Sequence, residues 1–427
     1  MKAINSDIIL EQMISLHPKE IDLTLDRVWR LLKAVGSPEK LLPPVIHIAG
    51  TNGKGSTLAM LRSGLEAVGK VTHAYTSPHL ERFHERIRLS GKIIEERELS
   101  CILNKCYVAN GPSQITYFEI TTCAAFLAMS KCFADYTLME VGLGGRLDAT
   151  NVIEQPKLCI ITPISIDHER FLGDTIAKIA SEKAGIIKKE VPVVVGPQPS
   201  EAMEVIEKVA VKHHAPLIAY GQQWHVFRER DRLVFKDESG LCDLPLPVLP
   251  GAHQIMNAGS TLAALRYLNM PDTALEAAIT QTEWPARMQR LKTGFLVELA
   301  DSAELWLDGG HNAAAGEALA NHLATLPSKP TFLVCGMLNT KDSLGYLRPF
   351  APQIEGLWGI PVPNEVNTLP AEETVMYARA AGIASQVSQN VTEAIVQIKQ
   401  RSPNARILIC GSLYLAGNVL RENKKVL

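Results

Sequence analysis

The sequence predicts an α/β protein in two parts: a doubly wound, largely parallel sheet domain over residues 1–292 and a smaller Rossmann-like α/β domain over residues 293–427. Three observations carry this expectation. Short apolar runs rich in Val and Ile alternate with segments of helical period, as in a parallel sheet covered by helices on both faces. A glycine-rich turn with a lysine follows the first of these runs. The length, 427 residues, exceeds what one hydrophobic core usually serves.

Taken in order, residues 45–49 form the first strand and residues 58–68 an amphipathic helical segment behind the glycine-rich turn. Within residues 71–92 a mobile loop is expected, carrying His79, Arg82, Arg86 and Arg88, whose charges suit either an anionic tail or a solvated face. Strands are expected at residues 136–141, 158–163 and 191–195. The run LPLPVLPG, residues 244–251, reads as a proline-rich loop before another helix. The rhythm changes again over residues 284–292, and a smaller alternation follows, with strands at residues 305–308, 331–335, 357–361 and 407–410.

Composition narrows the function. Hydrophobic residues make up 46% and charged residues 21%, which is globular. With 43 basic and 45 acidic side chains the formal charge is −2, so no global field recruits nucleic acid or an anionic membrane. Any anion must be held locally. The segment MKAINSDIILEQ lacks a signal-peptide core, and no run approaches the roughly 20 apolar residues of a membrane span; a soluble cytoplasmic protein is expected. The eight cysteines form no metal-binding spacing and read as reduced core thiols.

The turn Gly50-Thr51-Asn52-Gly53-Lys54-Gly55-Ser56 has the chemistry of a phosphate-binding loop, which makes the first domain P-loop-type. Its glycines let the backbone wrap phosphate oxygens, the following helix offers its amino end, and Lys54 reaches terminal phosphates. Gly55 follows the lysine and the first hydroxyl arrives at Ser56, a departure from the common pattern. Glu140 ends a strand at the carboxyl edge, where α/β folds place ligands, and a carboxylate there suits Mg²⁺. Ser77 precedes a proline and could meet a metal or cap the next segment. His168 also follows a strand, as a ligand or as a hydrogen-bonded structural residue. Lys183 interrupts the apolar stripe Ile176, Ile179, Ala180, Ile187; it either snorkels to water or becomes neutral and reactive toward carbon dioxide. Tyr117 and Phe118 could stack on a flat ring or belong to the core.

GTNGKGS, together with TSPHL at residues 76–80, TYFE at 116–119, LMEVGLGGRLDATN at 138–151, Asp167-His168, SEKAGIIK at 181–188, DGGHN at 308–312 and GSLYLAG at 411–417, resembles the folylpolyglutamate synthases, including bacterial dihydrofolate synthases, within the Mur ligase group. The resemblance implies a Mur ligase-like fold and a monomer that activates a pteroate or folate carboxylate as an acyl phosphate and joins it to L-glutamate, releasing ADP and phosphate. It implies ATP held by Thr51, Asn52, Gly53, Lys54, Gly55, Ser56, Asn257, Arg287, Asp308 and His311. Two magnesium ions would be held through Ser77, Glu140 and His168, and Lys183 would be carbamylated by CO2. Lys54, Lys183, His168 and Glu140 are the implied catalytic set, and Thr116, Tyr117, Phe118, Leu147, Asp148 and Ala149 the pteroate or folate site. Ala286 stands where the family commonly has glycine. The expected substrates are 7,8-dihydropteroate, reduced folates, L-glutamate and ATP. Folate polyglutamylation alone, or another Mur-like amino-acid ligase, is the alternative. A cell-wall Mur ligase would add a domain ahead of the phosphate-loop strand, which only about 44 residues precede. A non-catalytic nucleotide switch would leave Glu140, His168 and Lys183 without a purpose.

Overall fold

A computed structural model describes residues 5–17 and 23–425, so the first four residues of the amino-terminal segment lie outside it. The chain forms two compact units. In the first, eight strands make one sheet: β1 (Val45–Ala49), β2 (Thr72–Tyr75), β3 (Ile87–Leu89), β4 (Lys92–Ile93), β5 (Tyr136–Glu140), β6 (Leu158–Ile161), β7 (Val193–Val195) and β8 (Leu217–Ala219). Their order is β4-β3-β2-β5-β1-β6-β7-β8, which puts β1 inside the sheet between β5 and β6. Six strands run parallel, and β3 and β4 turn back antiparallel at one edge. Every residue of β1 is buried, as expected of a strand with helices on both faces.

Residues 71–92, within which a loop is expected, hold β2, β3 and the start of β4, and the connection over residues 76–86 carries His79, Arg82 and Arg86. The strands are short and their sequence, THAY or IRL, has too few apolar residues for the pattern to register. A meander of β9 (Trp224–Glu229), β10 (Arg232–Asp237) and β11 (Gly240–Pro245) was likewise invisible to the Val/Ile rhythm. It alternates buried and exposed positions, Trp224 and Val226 inward and His225 and Phe227 outward, which is the antiparallel, one-sided signature.

The second unit holds β12 (Gln289–Leu291), β13 (Glu304–Leu307), β14 (Thr331–Cys335), β15 (Gly356–Gly359), β16 (Ser385–Val387) and β17 (Arg406–Cys410), in the order β12-β13-β17-β14-β15-β16. All pairs are parallel except β12 with β13. Successive residues of one strand serve opposite cores: Ile407 and Ile409 pack with Phe332, Val334 and Leu305, while Leu408 and Cys410 pack with Leu333, Cys335 and Leu357. That two-sided burial is why these strands read as unbroken apolar runs.

This unit starts at Glu283, ahead of the expected boundary at residue 292, because β12 is its edge strand and pairs Leu291 with Leu305. It also takes in Leu80–Arg82 and Leu249–His253. Leu80–Arg82 docks on the last helix, Leu413–Asn423, where Gly417 leaves room for the Leu80 backbone. There the Arg421 guanidinium donates to Glu81 O at 2.7 Å and Lys424 pairs with the Glu81 carboxylate at 2.7 Å.

Candidate active site

β1 delivers the chain to the phosphate-binding loop. Gly53 has φ 88 and caps the helix Lys54–Ala67 without a side-chain hydrogen bond, which leaves the helix amino end with amides and dipole for an anion. A Cβ at Gly53 would overlap Asn257 Oδ1. Asn257 donates to Gln254 Oε1 at 2.9 Å, and Gln254 in turn reaches Ser56 Oγ at 3.4 Å. The structure therefore brings Gly53, Ser56 and Asn257 together. Thr51 and Asn52 are tied to the segment after β6: both amides donate to Pro163 O, at 3.0 and 3.3 Å, the Thr51 hydroxyl donates to Ser165 O at 3.0 Å, and Asn52 Nδ2 reaches Ser165 Oγ at 3.3 Å.

Two lysines converge on one carbonyl. Lys54 Nζ donates to Gly50 O at 3.0 Å and to Thr51 O at 3.3 Å, and Lys183 Nζ donates to the same Gly50 O at 2.9 Å. Lys183 sits on the helix Ile176–Ala184 and is 4% exposed, so it does not snorkel to solvent. Burial first, and then the Lys54 charge, lower its pKa from 10.5 to about 7, against the opposing pull of Asp167 and Asp148. Near neutral pH a large share of this amine is unprotonated.

The parallel pairing of β2 with β5, Tyr75 beside Met139, carries Ser77 to the end of β5, where its amide donates to Glu140 Oε2 at 3.2 Å. Glu140 is 5% exposed. His168 caps the short helix Glu169–Leu172 with φ 54, and its Nε2 lies 4.0 Å from Asp167 Oδ1. Among the described residues no group of three or more His, Cys, Asp and Glu side chains is gathered to hold a metal. One buried carboxylate beside a serine suits Mg²⁺, which keeps waters and substrate phosphates as most of its ligands. A zinc-like cage would need more protein donors.

Thr116 caps the helix Tyr117–Met129 in a capping box with Glu119, whose carboxylate is held in addition by Arg27 through Nε and Nη2, each at 2.9 Å. That fixes the next two aromatic rings. Tyr117 meets Phe83 edge-on at 6.1 Å, and Phe118 lies 6.2 Å from Tyr75. The Phe118 ring occupies the space beside Gly142 that any Cβ there would need. Leu147 is half-buried, while Asp148 and Ala149 are buried at 4% and 3%. Asp148 Oδ2 accepts the amides of Gly142 and Leu143 at 3.1 and 2.8 Å, and Oδ1 accepts the amide and hydroxyl of Thr150 at 3.0 and 2.5 Å. Burial raises the Asp148 pKa, with the Thr150 hydroxyl and the three amides opposing.

In the second unit the turn that carries Arg287 is hydrogen-bonded to the one that carries Asp308 and His311. Asp308 accepts the amides of Met288 and Gly310 at 2.7 and 2.6 Å, and its pKa is raised by burial against the Arg287 charge. His311 Nδ1 lies 3.0 Å from Gly309 O. Ala286 is buried with φ 56, so the turn keeps a left-handed residue without glycine, at a cost of roughly 1–2 kcal/mol.

Residues 48–265 match the Mur ligase middle domain and residues 296–422 the dihydrofolate synthetase C-terminal domain. The chain is 33% identical over 415 residues to the dihydrofolate synthase/folylpolyglutamate synthase of Escherichia coli (strain K12), covering 96% of this chain and 94% of that protein. The chain belongs to the dihydrofolate synthase/folylpolyglutamate synthase family. Within that family, a solved structure of E. coli FolC in complex with DHPP and ADP superposes with TM-score 0.88 at 30% identity, covering 98% of this chain and 97% of that one. A bifunctional folylpolyglutamate synthase/dihydrofolate synthase with Mn, AMPPNP and L-glutamate bound matches with TM-score 0.86 at 28% identity over 98% of both chains.

For this member of the dihydrofolate synthase/folylpolyglutamate synthase family, sequence reasoning passed over Ser165, which anchors Thr51 and Asn52, and Gln254, which joins Asn257 to Ser56. Gln254 had a readable signal: it stands three residues before Asn257 at helical spacing. Ser165 had none, because its partners are more than a hundred residues away.

Proposed function

We propose that this protein is an ADP-forming ligase that joins the carboxylate of 7,8-dihydropteroate, and of reduced folates, to the amino group of L-glutamate. The observation that carries the reading is the convergence of Lys54 and Lys183 on Gly50 O at the mouth of the phosphate-binding loop, beside the strand that ends in Glu140.

A carboxylate is a poor electrophile, so it is first phosphorylated by ATP. Lys54 offsets the negative charge that spreads over the transferring phosphoryl group, and the loop amides hold the product phosphates. Glutamate's amine then attacks the acyl phosphate and phosphate leaves. Magnesium, for which Glu140, Ser77 and His168 are assigned as ligands, supplies phosphate charge neutralisation when bound. Asn257 is assigned to the nucleotide, and so are Arg287, Asp308 and His311 of the second unit. Lys183 is assigned as the lysine that takes up CO2: its amine attacks the carbon, loses a proton, and becomes a carbamate that organises the site. Thr116, Tyr117, Phe118, Leu147, Asp148 and Ala149 are assigned to the acceptor. We take the protein to be cytoplasmic and to act as a monomer, the oligomeric state being checked by size-exclusion chromatography.

The test is ADP release with ATP, magnesium and L-glutamate, comparing dihydropteroate with tetrahydrofolate and using Lys54→Ala as control. Turnover with both acceptors that disappears in the variant supports the dual activity; turnover with one narrows it. Absence of glutamate-dependent ADP release with either rejects the reading.

A further inference from the structure

A polar chain runs from the strand under the phosphate loop to the turn after β5. His47, fully buried on β1, lies with Nε2 2.9 Å from Thr150 Oγ1, and Thr150 Oγ1 lies 2.5 Å from Asp148 Oδ1. The carboxylate at the end of this chain gathers the amides of Gly142, Leu143 and Thr150. Directions along it follow from proton counting. Thr150 has one hydroxyl hydrogen and spends it on Asp148, so His47 Nε2 must carry the hydrogen that Thr150 Oγ1 accepts. His47 Nδ1 is then a bare lone pair, and it has no hydrogen-bond partner among the described residues. Burial, reinforced by the Lys188 charge, keeps the ring neutral, with its pKa lowered to about 3. An imidazole held with one nitrogen unsatisfied, where an aliphatic residue would pack without that cost, indicates that its one donated bond has a purpose.

We propose that His47 and Thr150 are positioning residues for the carboxylate acceptor: acting through Asp148, they fix the turn 142–150, and with it Gly142 against the Phe118 ring. The inference deepens the functional reading above and rests on the acceptor lying at that turn. β1 is already fastened in the sheet by β5 and β6, whereas the turn beyond β5 depends on Asp148, so loss of the chain should disturb the acceptor and spare ATP.

The experiment measures KM for dihydropteroate, tetrahydrofolate and ATP in the unaltered protein, His47→Leu, Thr150→Val, the double variant and His47→Gln. KM does not depend on how much of a preparation is active, and Thr150→Val, which preserves shape, guards against a misfolded His47→Leu. Expected is a roughly three- to tenfold rise in acceptor KM in either single variant, the worth of one buried hydrogen bond. The double variant should be no worse than the singles, ATP KM should stay unchanged, and His47→Gln, which restores an N–H donor, should recover acceptor KM. An equal rise in ATP KM, additive effects, or unchanged acceptor KM overturns the inference while leaving the ligase assignment intact. No acceptor-dependent turnover by the unaltered protein overturns both.

Discussion

Withdrawing carbon dioxide should silence the enzyme through Lys183. With a pKa of about 7, about half of this amine is neutral at pH 7, against roughly one part in 2,500 for a solvent-exposed lysine titrating near 10.4. Only the neutral amine attacks CO2, so capture at Lys183 is favoured over the surface lysines by about three orders of magnitude. The sign with pH follows: below pH 7 the neutral fraction falls about tenfold per unit, so activity in limiting bicarbonate should fall on acidification and recover when bicarbonate is raised. In unmodified protein, the unfolded chain still binds this proton up to about 10.5 while the folded chain has released it by about 7, so stability should climb as pH rises between those values. The assay pairs activity in CO2-free and bicarbonate buffers with native mass spectrometry and carbon NMR after isotopically labelled bicarbonate. Lys183→Met should lose about 100-fold or more in kcat, as for loss of one electrostatic group in an active site, and should not respond to bicarbonate. Full activity without CO2, with Lys183 at its unmodified mass, would refute the reasoning.

Three further outcomes are expected. Gly53→Ala places a methyl group onto Asn257 Oδ1 in a residue with φ 88, so ATP KM should rise at least tenfold, roughly the effect of a strained loop residue, in a nucleotide titration of the folded variant. Gly142→Ala meets the Phe118 ring; acceptor KM should rise with ATP KM unchanged, and equal effects on both would count against placing the acceptor there. Arg27→Met removes the bidentate partner of Glu119, whose side chain is 8% exposed, and should cost about 3 kcal/mol of stability in a denaturant titration; a loss under about 0.5 kcal/mol would show the pair to be dispensable.

The sequence by itself determined the parallel architecture, because strands buried on both faces must be apolar throughout, as in β14 (Thr331–Cys335) and β17 (Arg406–Cys410). It placed the glycine-rich turn with Lys54 between a buried strand and a helix amino end, where the structure has it and where a phosphate-binding loop is built. It placed Glu140 at a strand end and Lys183 on an apolar stripe, but left open whether the lysine escapes to water. Only the tertiary structure decided that, by bringing Gly50 O to Lys183 from 133 positions away along the chain. It decided as well that Asp148 spends both its oxygens on Gly142, Leu143 and Thr150, that His47 meets the Thr150 hydroxyl, and that short strands lie within residues 72–93 and 224–245. The reason is common to all of these. Periodicity reports which face of a segment is buried, whereas hydrogen-bond partners and desolvation depend on what packs there from distant parts of the chain, which no local pattern encodes.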